Sequence, residues 1–255
     1  MGIINVTPDS FYSGSRVTNN VENIARKMID EGASILDIGG ESTRPGSEPV
    51  STEEELRRVI PAIKAIRTFS NIPISIDTYK SSVAHEAINA GADIINDISG
   101  FNFDPEILDV VKDYKAPYIL MHIKGTPKDM QKNPFYDDVV REIYDYFSQK
   151  LEILKTKGID QIILDPGIGF GKRYEDNLEI IKNIEKFKEF GLPLLVGHSR
   201  KSFIGRLLNK VDPKERLTGT LAVTAYLTLK KVDILRVHDV KENFEVVRVI
   251  TNLTW

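Results

Sequence analysis

The sequence predicts a (β/α)8 barrel, one domain over residues 1–255, with its active site at the C-terminal ends of the strands. Three observations predict it. Eight short aliphatic runs recur along the chain, longer segments of helical period separate them, and each run ends in or runs into polar residues. The 255 residues give a mean unit of roughly 32, the spacing of a barrel of this kind. No composition break, linker or low-complexity stretch divides the chain. An open doubly wound sheet is the alternative, and the polar strand ends argue against it.

The aliphatic runs are GIINV (2–6), SILDI (34–38), PISID (73–77), DIIND (93–97), PYILM (117–121), QIILD (161–165), PLLVG (193–197) and DILRV (233–237). Nearly continuous apolar character is what strands buried on both faces require. Between them, STEEELRRVIPAIKAIR puts Leu56, Val59, Ile60, Ile63 and Ile66 on one helical face. Ser51 and Glu54 have capping-box spacing at its start, and Pro61 inside the pattern predicts a kink. DDVVREIYDYFSQKLEILKTKG aligns Ile143, Phe147, Leu151 and Leu154, with Gly158 as the stop. Eight helices are expected.

Composition narrows the function. Lys and Arg total 34 against 37 Asp and Glu, a net charge of −3, which offers neither nucleic acid nor an acidic membrane a basic face. With no cysteine there is no disulfide framework, thiolate metal site or cysteine nucleophile. The apolar runs are far short of a membrane span, and the start lacks the pattern of a secretory signal. A cytoplasmic protein without nucleic-acid or membrane partners is expected.

In a (β/α)8 barrel the strand ends converge on one mouth. Here they bring Asn5, Asp37, Asp77, Asn96 with Asp97, His122, Asp165, His198 through Lys201, and Arg236 with His238. One Asp after a strand is ordinarily a turn former or a helix cap. Eight polar ends together mark a site, because a carboxylate at the end of an apolar strand is costly unless paired or used. Three strand-end aspartates would suit Mg²⁺, yet Lys201, Arg236 and His238 crowd the same mouth. Both signs of charge suit a ligand with N–H donors at one end and an anion at the other, so the reading is a phosphorylated or pyrophosphorylated nitrogen heterocycle. The helix start after HSRKS adds backbone N–H groups for an anion.

Two phosphate motifs fail. DPGIGFGK has Pro166 where a Walker A loop needs glycine and Arg173 where it needs Ser or Thr, and Lys172 displaces the last glycine of a dinucleotide fingerprint. The segment reads instead as a glycine turn that lets a flat ligand approach beside Asp165. No histidine accompanies a nucleophile elbow, and His85, mid-helix, reads as a surface residue.

Taken together, NVTPDSF (5–11), DIGGESTRPG (37–46), SIDT (75–78), NDISG (96–100), MHIKGTPKDMQ (121–131), LDPGIGFGK (164–172), SRKSFIG (199–205) and RVHDV (236–240) resemble the dihydropteroate synthase family of pterin-binding enzymes. The resemblance covers almost the whole chain. It implies condensation of 6-hydroxymethyl-7,8-dihydropterin pyrophosphate with p-aminobenzoate, sulfonamide sensitivity, Mg²⁺ as cofactor and a homodimer. Related alternatives are a pterin-binding methyltransferase-type domain, which lacks the ESTRPG and SRKSFIG elements, and a catalytically inactive pterin-binding paralogue.

The resemblance also implies roles. Asp77, Lys201, Arg236 and His238 would be catalytic. Asp77, Asn96, Met121, Asp165, Phe170, Lys201 and Arg236 would bind the pterin. Phe11, Thr43, Arg44 and Pro45, on lid loops, would close over p-aminobenzoate, with Lys201 and Ser202 at its carboxylate. Asn5 would bind Mg²⁺ and, with Arg236 and His238, the pyrophosphate, while Asp37 would support them from behind. The family reads DSFSDGG where this chain reads DSFYSGS, so Ser13 replaces an acidic residue, and it carries a lead-in before the first strand where this sequence starts.

Overall fold

The computed structural model describes residues 1–6 and 14–254. Its strands are β1 (Gly2–Asn5), β2 (Leu36–Gly39), β3 (Ile74–Asp77), β4 (Ile94–Asp97), β5 (Tyr118–Met121), β6 (Ile162–Asp165), β7 (Leu195–Val196) and β8 (Ile234–Leu235). Seven expected runs contain one of them, and β2 extends one residue past SILDI, to Gly39. The α-helices are α1 (Gly14–Asp30), α2 (Thr52–Arg67), α3 (Ser81–Ala90), α4 (Ile107–Tyr114), α5 (Val139–Thr156), α6 (Tyr174–Lys182), α7 (Ser202–Leu208), α8 (Leu217–Leu229) and α9 (Val240–Thr254). Among the described residues there is one α-helix more than expected, because the β7–β8 crossover holds both α7 and α8.

All pairings are parallel, in the order β1 to β6, with β7 beside β8. Two seams complete the circle. Leu164 N donates to Pro193 O at 2.9 Å, joining β6 to β7. Ile3 N donates to Val237 O and Val237 N to Met1 O, each at 3.0 Å, joining β8 to β1. Strand order therefore never reverses, which excludes the doubly wound alternative. The β7 and β8 ladders are two residues long where five were expected, so this side of the barrel is held more by its helices than by its strands.

The four residues of each of β2, β3, β4 and β5 are buried. Their outward side chains join the helices in the main core, among them Leu36, Ile38, Ile63, Ile76, Ile95 and Phe147. On α5, Ile143, Phe147 and Leu154 are buried as the period predicts, and Leu151 packs from the margin. Gly158 ends that turn with φ +75°. Phe147 is fully buried and meets Phe187 and Phe190 edge-on at 5.8 and 6.1 Å.

Two local expectations change. Ser51 does cap α2, accepting Glu54 N at 3.2 Å, but the Glu54 carboxylate turns to Arg57 and Arg58 instead of back to the cap. Helix α2 also runs unbroken through Pro61, which is exposed, so the carbonyl it leaves unpaired faces water. Helix α8 departs from the usual pattern, burying three threonines beside Leu227. Thr220, Thr224 and Thr228 face the interior, while Tyr226 and Leu229 are exposed. No helix among the described residues is long and apolar enough to cross a membrane.

Phe147→Ala should lower the unfolding free energy by about 3–5 kcal/mol, the cost of a cavity beneath α5. Urea denaturation checks this; a loss under about 1 kcal/mol would mean that the aromatic cluster is not a structural centre.

Candidate active site

The polar ends of β2, β3 and β8 meet at one side chain. Arg236 Nε donates to Asp37 Oδ2 at 2.6 Å, and its Nη2 donates to Asp77 Oδ2 at 2.6 Å. Asp37 is fully buried and also accepts Asn96 Nδ2 at 3.2 Å. Such a group is costly unless paired, and Arg236 is the pair. Because strand side chains alternate between faces, neighbouring residues part company here. Asn96 enters the mouth. Asp97 instead accepts Ser99 N, Phe101 N and Tyr118 Oη, all at 2.7 Å, and belongs to the scaffold.

Asp165 closes its own turn, accepting Gly167 N at 2.8 Å, and shares its field with Lys201, Arg236 and Lys172. Beside it is a small apolar cluster separate from the main core, containing Met121, Phe170, Ile98, Ile123 and Met130. Lys201 Nζ sits 4.2 Å from the centre of the Phe170 ring. The mouth thus has an apolar shelf along a charged wall, suited to a flat polar ring. Asn5 is half-buried at the end of β1, next to Gly39 in the ladder. His238 stands at the rim, its Nδ1 3.0 Å from Ser199 Oγ, and Ser202 is exposed at the start of α7.

Burial and the neighbouring charges bring Asp77, Asp165 and Lys201 toward neutral pH. Burial lifts Asp77 to about 7, with Arg236 opposing the shift and Asp37 adding to it. Burial lifts Asp165 to about 6 against the Gly167 N–H and Lys201. Burial, then Arg236, lower Lys201 to about 8. For Arg236 burial works downward, but Asp37 and Asp77 outweigh it, so the guanidinium stays charged. His238 is lowered by desolvation and then by Arg236, which leaves a neutral imidazole at the rim.

Two histidines expected at the mouth lie behind it. His122 is buried, with Nδ1 3.0 Å from Lys172 Nζ and its ring edge-on to Tyr146 at 4.8 Å. His198 has no exposed surface, and Nε2 lies 2.7 Å from Thr224 Oγ1, whose own proton goes to Asn243 Oδ1. His198 Nε2 therefore donates, and Nδ1 has no partner. The glycine turn also has a role in the scaffold. A Cβ on Gly167 would stand 2.0 Å from His122 O, and one on Gly171 2.1 Å from Lys124 O. Both have positive φ. These glycines admit the backbone of the β5 loop.

The GGESTRPG loop is tied down at both stems. Glu41 Oε2 receives Lys80 Nζ at 2.7 Å and Val50 N at 3.0 Å, and Lys80 also donates to Glu55 Oε2 at 2.6 Å and Val50 O at 2.8 Å. Between the stems, Thr43 is half-buried and Arg44 and Pro45 are exposed, while Gly46 N reaches Pro127 O at 2.9 Å. Phe11, Asp9, Ser13 and the rest of the first lid loop lie outside the described residues. Glu41, Lys80 and Lys172 were not anticipated; Lys80, three residues after Asp77, and Lys172, seven after Asp165, had sequence proximity as their only signal.

The family model for pterin binding enzymes matches residues 1–238. The dihydropteroate synthase of Synechocystis sp. is 49% identical over 253 residues, 98% of this chain and 88% of that one. A crystal structure of the Yersinia pestis dihydropteroate synthase with a sulfonamide drug complex superposes with a TM-score of 0.92 at 41% identity, covering 99% of this chain and 93% of that one. The Xanthomonas albilineans enzyme with 4-aminobenzoic acid superposes with a TM-score of 0.93 at 40% identity, covering 99% and 92%. The chain belongs to the dihydropteroate synthases, within the pterin-binding enzymes. It is a transferase of that type, built as the (β/α)8 barrel expected, and this sets aside the methyltransferase-type domain as its family.

The raised pKa of Asp165 has a cost for a dihydropteroate synthase without ligand. Stability from its neutral form is complete below the ordinary value of 3.8 and is lost as pH rises through about 6. Asp165→Asn should therefore be more stable than the parent at about pH 8, by on the order of 2 kcal/mol, with the gap closing toward about pH 4. Thermal melts across that range decide it; a parent more stable at about pH 8 would mean that Asp165 is stabilised as a carboxylate.

Proposed function

We propose that this mouth joins 6-hydroxymethyl-7,8-dihydropterin pyrophosphate to p-aminobenzoate, with the residues above dividing the work. The observation that carries the assignment is the Arg236 clamp on Asp37 and Asp77, set beside Asp165, Lys201 and the Met121–Phe170 shelf. Asp165 accepts the paired N–H donors of the aminopyrimidine edge, since its lone pairs are not exhausted by Gly167 N. Asp77 and Asn96 take the remaining ring nitrogens, Lys201 takes the ring carbonyl, and Met121 and Phe170 pack on the ring. Arg236 lies along the pterin face and, with Asn5 and His238, meets the pyrophosphate.

The carbon–oxygen bond to pyrophosphate breaks first, and its electron pair leaves with the anion. The electron-rich dihydropterin spreads the positive charge left behind, and Asp77 stabilises it from the mouth wall. The nitrogen lone pair of p-aminobenzoate then forms the new bond and its proton passes to water, so no poised general base is needed. Thr43, Arg44, Pro45 and Phe11 close over this amine, and Lys201 with Ser202 faces its carboxylate.

Mg²⁺ is the implied metal, and the donors suit it. Asn5 offers one neutral oxygen, while Asp37 and Asp77 are committed to Arg236, so most ligands would be pyrophosphate oxygens and water, a common pattern for this ion. When bound, the ion neutralises charge developing on the leaving group. The enzyme works in the cytoplasm as a homodimer. The outward apolar side of α8, with Tyr226 and Leu229, supports a second copy docking there.

Dihydropteroate should form from the two substrates with Mg²⁺ and cease with chelator; product undiminished by chelator would remove the metal from the proposal. Lys201→Ala should raise KM for both substrates by about tenfold or more, because one ammonium serves both. Steady-state kinetics with each substrate varied checks this, and a rise in only one constant would displace Lys201 from the shared position.

A further inference from the structure

Lys172 is the most buried lysine near the mouth, 2% exposed, and the reaction described above makes no use of it. Its Nζ has three neighbours at hydrogen-bond distance: His122 Nδ1 at 3.0 Å, His122 O at 3.2 Å and Phe170 O at 3.0 Å. Two are carbonyl acceptors, while His122 Nδ1 accepts or donates according to its tautomer. An ammonium donates to all three with Nδ1 bare, and a neutral amine donates to both carbonyls and accepts from a protonated Nδ1. In either form Nζ ties all three groups together.

The position of this group matters more than its charge. It joins the backbone at the end of β5 to the backbone of the β6–α6 loop, where Gly167 and Gly171 already press against His122 O and Lys124 O. Phe170 is one end of the tie. Gly167, whose N–H holds Asp165, stands 3.3 Å from Lys172 Nζ when given a Cβ. Burial lowers Lys172 to about 7, opposed by Asp165 and Asp176 and reinforced by Lys201 and Lys124. A buried amine is costly unless its polar groups are satisfied, which argues that its three bonds do necessary work.

We propose that Lys172 is a positioning residue for the pterin subsite: it pins the β6–α6 loop to β5 and thereby sets Phe170 and Asp165 against the ring. The proposal rests on the pterin roles given above to those two residues. Lys172 itself touches no substrate.

The test combines one spectrum with two variants. In the parent, nitrogen NMR of His122 should show Nδ1 hydrogen-bonded to Lys172 Nζ, whichever of the two holds the proton. Lys172→Met, which keeps the length and removes the donors, should weaken binding of 6-hydroxymethyl-7,8-dihydropterin by about tenfold while the KM for p-aminobenzoate stays within about twofold. Added ethylammonium should restore pterin affinity to Lys172→Ala, and tetramethylammonium, which has no N–H, should not. Folded Lys172→Met that binds the pterin as the parent does, or that loses both ligands equally, would overturn the proposal. So would a parental His122 Nδ1 with no hydrogen bond to Lys172 Nζ, a result that needs no variant to fold. A parent that does not bind the pterin would instead remove the subsite assignment, and the pin with it.

Discussion

The guanidinium of Arg236 is the interaction on which the site depends. It comes from β8 and is taken by carboxylates on β2 and β3, 199 and 159 residues away in the chain. No local segment can form that contact; it exists only when the eighth strand closes against the first. The closed barrel and the charged mouth are thus one event. Without Arg236, Asp37 would be a fully buried carboxylate that has lost its guanidinium partner and keeps the Asn96 hydrogen bond. The same clamp keeps Asp77 close to neutrality, because burial and Asp37 push its proton on while Arg236 pulls it off. A carboxyl poised there can meet a ring N–H and respond when positive charge develops.

A second layer holds the first. Lys80 ties both stems of the loop after β2, Lys172 ties the β5 and β6 ends, and Arg200 pairs in two bonds of 2.8 Å with Asp239, joining the β7 and β8 ends beside Lys201 and His238. Each cation bridges neighbouring loops, so the rim is braced from one strand end to the next. Buried ionic ties of this kind add little net stability, but they choose one geometry among many.

Much of this was legible in the sequence. The strands were, because aliphatic runs buried on both faces leave no helical period, and so were Asp37, Asp77, Asn96, Asp165, Lys201 and Arg236, which sit where those runs end. Asp97, His122 and His198 were not separable from them. Which face a strand-end residue takes depends on a register that one position changes, and Asn96 beside Asp97 shows how close that decision is. Lys172 was hidden differently. Its glycine-rich segment resembles a ligand loop, and only the approach of Lys124 O and His122 O reveals that its glycines fit one piece of chain against another. Helix α8 could not be read from its period either, because its threonines are drawn inward by His198, Arg200 and Asn243.

Carboxyl-carbon NMR titration of Asp77, in the ligand-free parent and in Asp37→Asn, tests the clamp most directly. The parent should titrate near 7, far above the ordinary 3.8. Removing the Asp37 charge should move that midpoint down, since one repelling carboxylate is gone and Arg236 is left to Asp77 alone. A parental midpoint at the ordinary value, or one unmoved in Asp37→Asn, would contradict a mouth organised around a guanidinium shared by two carboxylates.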